Sequence, residues 1–233
     1  MLKNNLTLLI PVKNEKESLS IFLKKLEKFN YKKLLVVDKN DKNNYKKSIK
    51  SSKNTKIYVS KKTGYGNALI EGINKINSKY FCIINADGSM NPKEIKKMMH
   101  LTKSFSFIFG SRYLDNAGSD DDNLITFIGN KFFSKVGNIF FGLKISDILY
   151  TYVIGHTKSA KTLKLNSGDF RICVELPIKV HEKGYPYTDI NCYEFKRIGG
   201  KKKVNAFKDG FFIGLKILEL FINQIFFRKK KIN

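Results

Sequence analysis

At 233 residues and 26.8 kDa, the chain is long enough for one sizeable core with a short appendage and too short for two full domains. Its 44 Lys+Arg outweigh 20 Asp+Glu, a formal +24, while 19 Phe, 11 Tyr and 42% hydrophobic residues exclude an unfolded chain. Three cysteines without a CxxC pair (Cys82, Cys173, Cys192) exclude a disulfide scaffold, and the scattered His100, His156 and His181 exclude a His-rich metal site.

Leu6–Pro11 reads as a buried strand, and Glu15–Phe29 as a helix with Ile21, Phe22, Leu26 and Phe29 inward. Leu34–Asp38 and Lys56–Ser60 are strands, Gly66–Ile76 a helix, and Tyr80–Asn85 a further strand. Pro92–Thr102 is helical with Pro near its first turn, and Phe105–Gly110 is a fifth strand. Strands alternating with helices predict an α/β fold, a mostly parallel central sheet with helices on both faces. In such sheets ligands gather at the carboxyl ends of the strands. Those exits read Pro11-Val12-Lys13-Asn14-Glu15, Asp38-Lys39-Asn40-Asp41, Asn85-Ala86-Asp87-Gly88 and Gly110-Ser111-Arg112-Tyr113.

Beyond residue 113, Asp115–Asn123 is an acidic loop that suits a solvated cap for the next helix. Leu124–Leu143 is Phe-rich and reads as helix core. Ser167–Lys183 is amphipathic, with Glu175 a candidate buried partner, and Ile190–Phe195 alternates apolar and polar residues. Phe211–Phe227 has polar breaks at Lys216, Glu219, Asn223 and Gln224, the pattern of an amphipathic C-terminal helix, and Arg228-Lys229-Lys230-Lys231 follows it. The expected division is a catalytic domain over 1–205 and an amphipathic basic helix and tail over 206–233.

Only Arg112, Arg171, Arg197 and Arg228 are arginines, whereas a nucleic-acid reader leans on Arg; no nucleic-acid partner is expected. The lysines form a solvated surface suited also to an anionic membrane or a phosphorylated substrate. Leu6–Ile10 is too short for a secretory signal, and no run of 18 uncharged apolar residues exists. A cytoplasmic, peripheral placement at the cytosolic membrane face is expected.

Four motifs occur in order: Ile10-Pro11-Val12-Lys13-Asn14-Glu15, Val36-Val37-Asp38, Gly64-Tyr65-Gly66-Asn67-Ala68-Leu69 with Gly72, and Ile84-Asn85-Ala86-Asp87-Gly88-Ser89. They are followed by Gly110-Ser111-Arg112-Tyr113, Gly129-Asn130, Ser146-Asp147-Ile148 and Arg197-Ile198-Gly199-Gly200-Lys201. The set resembles the family-2 glycosyltransferases with the A-type fold, especially polyprenyl-phosphate sugar transferases similar to dolichol-phosphate mannosyltransferase. Asn85-Ala86-Asp87 aligns with their Asp-x-Asp signature, with Asn85 at its first acidic position.

The resemblance implies a nucleotide-diphosphate-sugar donor held by Pro11, Asn14, Glu15, Asp38, Gly64, Gly66, Asn67, Asn85 and Asp87. The two glycines permit a close turn, and the helix N-terminus after them favours an anion. It also implies a divalent metal, Mg²⁺ or Mn²⁺, at Asp87 and Asn85, since hard cations prefer oxygen ligands beside a diphosphate. The acceptor is a lipid phosphate or a glycan. Arg112, Arg197, Lys201 and Lys202 would contact its phosphate, and Asp147 would act as base toward a sugar hydroxyl. Asp87, Arg112 and Asp147 are the candidate catalytic residues, and inversion at the anomeric carbon is implied. The competing readings are a nucleotide-sugar-binding relative without transfer and a basic module that binds anionic surfaces.

Overall fold

The computed structural model describes residues 5–41, 45, 52–199 and 204–232, with side chains through Phe226. Lys201, Lys202 and the side chains of Arg228–Lys231, singled out above, lie outside the described residues. The chain runs β1 (Leu6–Val12), α1 (Lys16–Glu27), β2 (Lys32–Val37), β3 (Thr55–Val59), α2 (Tyr65–Lys75), β4 (Tyr80–Ile83), α3 (Glu94–Leu101) and β5 (Phe107–Ser111). It continues through β6 (Gly118–Ser119), α4 (Leu124–Phe141), β7 (Val153–His156), α5 (Thr157–Thr162), α6 (Ile172–Glu182), β8 (Tyr187–Asn191), β9 (Tyr193–Glu194) and α7 (Ala206–Ile232).

Seven strands form one sheet in the order β3-β2-β1-β4-β7-β5-β8. All neighbours are parallel except β7, which is antiparallel to both β4 and β5. The central strands are continuous apolar runs because helices cover both faces, and Leu34–Val37 and Tyr80–Ile83 are buried throughout. On one face α1 and α3 press Leu19, Phe22, Leu26, Ile95 and Met98 against Leu8, Ile10 and Leu35. On the other, α2, α5 and α6 contribute Leu69, Ile73, Ala160 and Leu176 over Leu9, Val36 and Phe81. A third cluster joins α4, α6 and α7 through Phe141, Val174, Ile178, Ile213, Ile217 and Leu220.

Strand β7 departs from the sequence reading, which gave residues 146–155 no strand. Its four residues, Val-Ile-Gly-His, are too few to show a period. Gly155 makes it fit: a Cβ there would lie 2.6 Å from the Phe81 ring and 2.8 Å from the Phe107 ring. Helix α4 departs in another way. It forms where expected, closed by a capping box between Asn123 and Thr126 and by Gly142 at φ 71°. Only part of its apolar surface fills the core, however: Phe141 is buried, but Leu124, Ile125, Ile128, Phe132 and Ile139 are exposed.

Close approach of α2 to the sheet depends on Gly72, where a Cβ would meet Leu9 Cδ1 at 2.2 Å and Val36 Cγ2 at 3.0 Å. Gly72→Ala is expected to lower stability by about 1–3 kcal/mol, read from the urea midpoint. An unchanged midpoint would show that this packing has slack.

Candidate active site

From β1 the chain winds one way to β2 and β3, then returns to place β4 on the other side of β1. That reversal opens a crevice at the carboxyl ends of β1 and β4. Pairing of β1 with β4 stops at Leu9–Ile83, so Pro11 sits past the last β4 partner and its missing N–H leaves no gap in that ladder. The exits carrying Asn14, Asp38, Asp87 and Arg112 therefore lie on one edge, as the alternation of elements predicts.

Asp87 stands in the turn after β4. Its Oδ1 accepts hydrogen bonds from the Ser89 backbone N–H at 3.1 Å and from Ser89 Oγ at 2.9 Å. Its Oδ2 faces the Arg197 guanidinium at 3.8 Å. Arg197 is tied more closely to Asp121, at 3.1 and 2.8 Å, and this bond chiefly sustains its charge, with Asp87 and Glu15 adding to it. The segment Phe195–Gly199 crosses the crevice as a strap. Phe195 N–H donates to Ser89 O and Ile198 N–H to Asp87 O, while Gly199 lies against Glu17. Gly88, at φ 77°, is needed beneath it, because a Cβ there would meet Ile198 at 2.3 Å.

Asn85 sits deeper, its Oδ1 accepting from the Tyr65 hydroxyl at 3.0 Å, which also bonds Thr151 at 2.6 Å. Among the described residues no group of three or more His, Cys, Asp or Glu side chains converges to hold a metal ion. Near this turn the Asp87 Oδ2, 3.8 Å from Arg197, is the carboxylate oxygen best placed to meet a cation. A Mg²⁺-type ion bound largely by substrate phosphates and water fits so sparse a donor set, since such ions are commonly held by one or two carboxylates.

The glycine turn proves to be filled by protein. A Cβ on Gly64 would come within 2.4 Å of Gly168 O, and one on Gly66 within 2.0 Å of Ser167 O. The Asn67 N–H, in the first turn of α2, donates to Gly168 O at 3.0 Å. The anion cradle expected from Gly64, Gly66 and Asn67 is thus a docking point for the 166–168 loop. Glu175 holds that loop: fully buried, it accepts from the N–H groups of Asn166 and Ser167 and from Lys179. Asp38 also has its carboxylate fully engaged, by Thr63 Oγ1 at 2.7 Å, Gly64 N–H at 3.0 Å, Asn40 N–H at 2.9 Å and Lys13 at 3.2 Å. Burial favours protonation, but those donors outweigh it and hold the carboxyl at about 2. At the β1 exit, Asn14 (φ 53°) donates its N–H to Asp41, and buried Glu15 accepts from Ser18 at 2.6 Å.

Arg112 and Asp147 form a closed pair, which revises the roles expected of them. Arg112 Nε and Nη2 donate to the two Asp147 oxygens at 2.7 and 3.0 Å, and Nη1 donates to Glu194 at 3.1 Å. Asp122 adds a fourth contact at 3.5 Å, and the Tyr150 ring stacks under the guanidinium at 4.7 Å. With Asp147 only 1% exposed, neither a free base nor a free phosphate ligand remains. Burial pushes the Glu194 carboxyl upward even with Arg112 beside it. Glu194 was not singled out from sequence, and the acids of the 115–123 loop, read as a solvated cap, instead pair with arginines: Asp122 with Arg112 and Asp121 with Arg197.

The family model described as Glycosyl transferase family 2 matches residues 7–163. A curated relative, an uncharacterized protein of Methanocaldococcus jannaschii, is 26% identical over 133 residues, 55% of this chain. The chain spans about half the length of that relative, the matched part being 55% of it. Among solved structures, glucosyl-3-phosphoglycerate synthase from Mycobacterium tuberculosis, in complex with Mn²⁺, UDP and glucosyl-3-phosphoglycerate, superposes with a TM-score of 0.72. Identity is 8%, over 93% of this chain and 80% of that one. The same enzyme with Mg²⁺ and UDP gives 0.69 at 9% identity, over 93% and 79%. At such identity the likeness shows the fold, a nucleotide-diphospho-sugar transferase of the A type.

Two outcomes test this geometry. Arg112→Lys keeps one charge but cannot reach three carboxylates, so stability should fall by about 3 kcal/mol in urea; a loss below about 1 kcal/mol would mean the network is dispensable. Asp38, depressed from 3.8, stabilises fully above that value and loses its contribution as pH falls toward about 2. The stability gap between wild type and Asp38→Asn should therefore narrow across that interval; a gap independent of pH would remove the depressed carboxyl.

Proposed function

The chain belongs to glycosyl transferase family 2, and from that premise we propose that it moves a sugar from a nucleotide-diphosphate sugar to a polyprenyl phosphate or a cell-envelope glycan. The observation that carries this reading is Asp87, whose Oδ2 stands at the β1/β4 crevice and faces, at 3.8 Å, an arginine that is itself held by Asp121. The UDP held with Mn²⁺ or Mg²⁺ in the mycobacterial synthase supports the same donor class here.

Asp87 is assigned as the metal and diphosphate ligand, with Asn85 contributing at most its remaining lone pair. A divalent cation, when bound, neutralises the negative charge that builds on the departing diphosphate. Pro11, Asn14 and Glu15 at the β1 exit line the donor side, while Asp38, Gly64, Gly66 and Asn67 shape that side from beneath. Arg197, held by Asp121 with its Nη1 3.8 Å from Asp87, would offer a charged N–H donor to a phosphate at that site. A polyprenyl phosphate brings an oxygen that is already anionic near neutral pH, so a single displacement with inversion needs no protein base. That suits a site in which Asp147 is sequestered by Arg112. Asn85, in place of an acid and bonded to Tyr65, favours the second reading of a relative that binds nucleotide sugar without transferring it.

Asp87→Ala is expected to cut transfer roughly a thousandfold, the several kcal/mol that such a cation supplies. Its stability should change by only about 1 kcal/mol, the worth of the Ser89 contacts. The assay is turnover with UDP-, GDP- and dTDP-sugars, with and without Mn²⁺. Unchanged turnover in a folded Asp87→Ala protein would end this assignment. Binding of a nucleotide sugar by wild type without any transfer would favour the second reading.

A further inference from the structure

Helix α4 is in large part built inside out. Phe133, Val136 and Phe141 pack toward α7, but most of the other inward side chains are small or polar: Asn130 donates to the Tyr113 hydroxyl at 2.7 Å, and Ser134 accepts from the Ile148 N–H at 3.0 Å. Gly137 has no room for a Cβ, with Ile148 Cδ1 2.7 Å away. The side chains turned outward are large and apolar: Leu124 is 73% exposed, Ile128 58%, Phe132 59% and Ile139 67%. A water-facing helix normally shows the reverse arrangement. Small residues inward and bulky apolar residues outward is the pattern of helices that face lipid.

Helix α7 extends this surface. It packs along α4, with Phe140 and Phe221 rings 4.8 Å apart, and buries Ile213, Ile217 and Leu220. Outward it exposes Phe211, Leu218 and Phe226 at 65%, 53% and 65%. Contiguous apolar surface on this scale marks an interaction site rather than ordinary protein surface.

We propose that the outer faces of α4 and α7 seat together in the interface of an anionic bilayer. Charge selects this occupant over a second copy of the chain. Helix α4 carries no acidic residue, its Lys131 and Lys135 are exposed, and the chain as a whole is +24. Of the two acids on α7, Glu219 is paired with Lys216 at 2.8 Å, and Asp209 accepts from the Asn205 N–H at 2.7 Å. Two copies would bring like charges together, whereas anionic headgroups neutralise them. Among the described residues no helix is long and apolar enough to cross a membrane, so the pair lies in the interfacial plane.

The seating also positions the candidate active site. Asp121, which holds Arg197, precedes Leu124 by three residues, so insertion of the first turn of α4 brings the Arg197–Asp87 rim to headgroup level. An acceptor with an apolar tail and an anionic head would meet that rim without leaving the bilayer. This consequence rests on the transfer reading; the seating itself does not.

The chain has no tryptophan, so Ile128→Trp in the full-length protein creates a single fluorescent reporter on α4. With phosphatidylcholine vesicles containing phosphatidylglycerol, its emission should shift to the blue and be quenched by lipids brominated in the acyl chain. The combined variant Ile125→Ser, Ile128→Ser, Phe132→Ser should lose about tenfold or more in vesicle co-sedimentation while keeping its urea midpoint. Absence of the shift and quenching, or undiminished co-sedimentation by the triple variant, would overturn the proposal. So would a wild-type dimer that the triple variant dissolves while vesicle binding persists. No donor or acceptor enters these measurements, so their failure would leave the transfer reading standing, and failure of transfer would leave them intact.

Discussion

One buried guanidinium organises the rim of this protein. Arg112, at the exit of β5, reaches Asp147 ahead of β7, Glu194 on β9 and Asp122 ahead of α4. Each carboxylate comes from a different stretch of chain, and each is removed from water, so none tolerates loss of the shared cation. Fixing Asp122 also fixes its neighbour Asp121, which holds Arg197, and Arg197 in turn faces Asp87. The electrostatic setting of the candidate metal ligand is thus set three contacts away, by a residue that does not itself reach the crevice.

A second chain of contacts runs beneath the donor side. Glu175 pays the desolvation of a fully buried carboxylate by accepting three donors, and so pins residues 166–168. Those residues fill the turn at Gly64 and Gly66, and Asp38 clamps the same turn through Thr63 and the Gly64 N–H. Four acidic residues marked by their positions in the sequence (Asp38, Asp147, Glu175 and Glu15) therefore hold the frame. Asp87 differs in that its Oδ2 meets the Arg197 guanidinium at 3.8 Å while its Oδ1 is held by Ser89.

Much of the frame was legible in the sequence, because buried parallel strands write themselves as apolar runs such as Leu34–Val37 and because their exits must share an edge. What stayed hidden depends on partners far along the chain. Arg112 lies 35 residues from Asp147 and 82 from Glu194, so a strand-exit arginine reads equally as a phosphate ligand or as a buried clamp. Gly-x-Gly before a helix is written the same way whether phosphate or a neighbouring loop needs the space. Strand β7 is too short to carry a period, and its fit is visible only against the Phe81 and Phe107 rings. A Phe-rich composition made α4 read as helix core, but composition does not say which side faces inward; buried Asn130, Ser134 and Gly137 mark one inward stripe, and much of the apolar bulk lies outside it.

The central claim is that, among the described residues, the protein offers a divalent ion no more than the Asp87 carboxylate, opposed by Arg197, so that nucleotide must supply most of the remaining ligands. Electron paramagnetic resonance of Mn²⁺, titrated with protein in the absence and then in the presence of UDP, tests this most directly. The expected result is almost no protein-bound Mn²⁺ without nucleotide and a bound ion once UDP is added. Equally tight Mn²⁺ binding with and without UDP would contradict it, because the protein would then hold a complete metal site of its own.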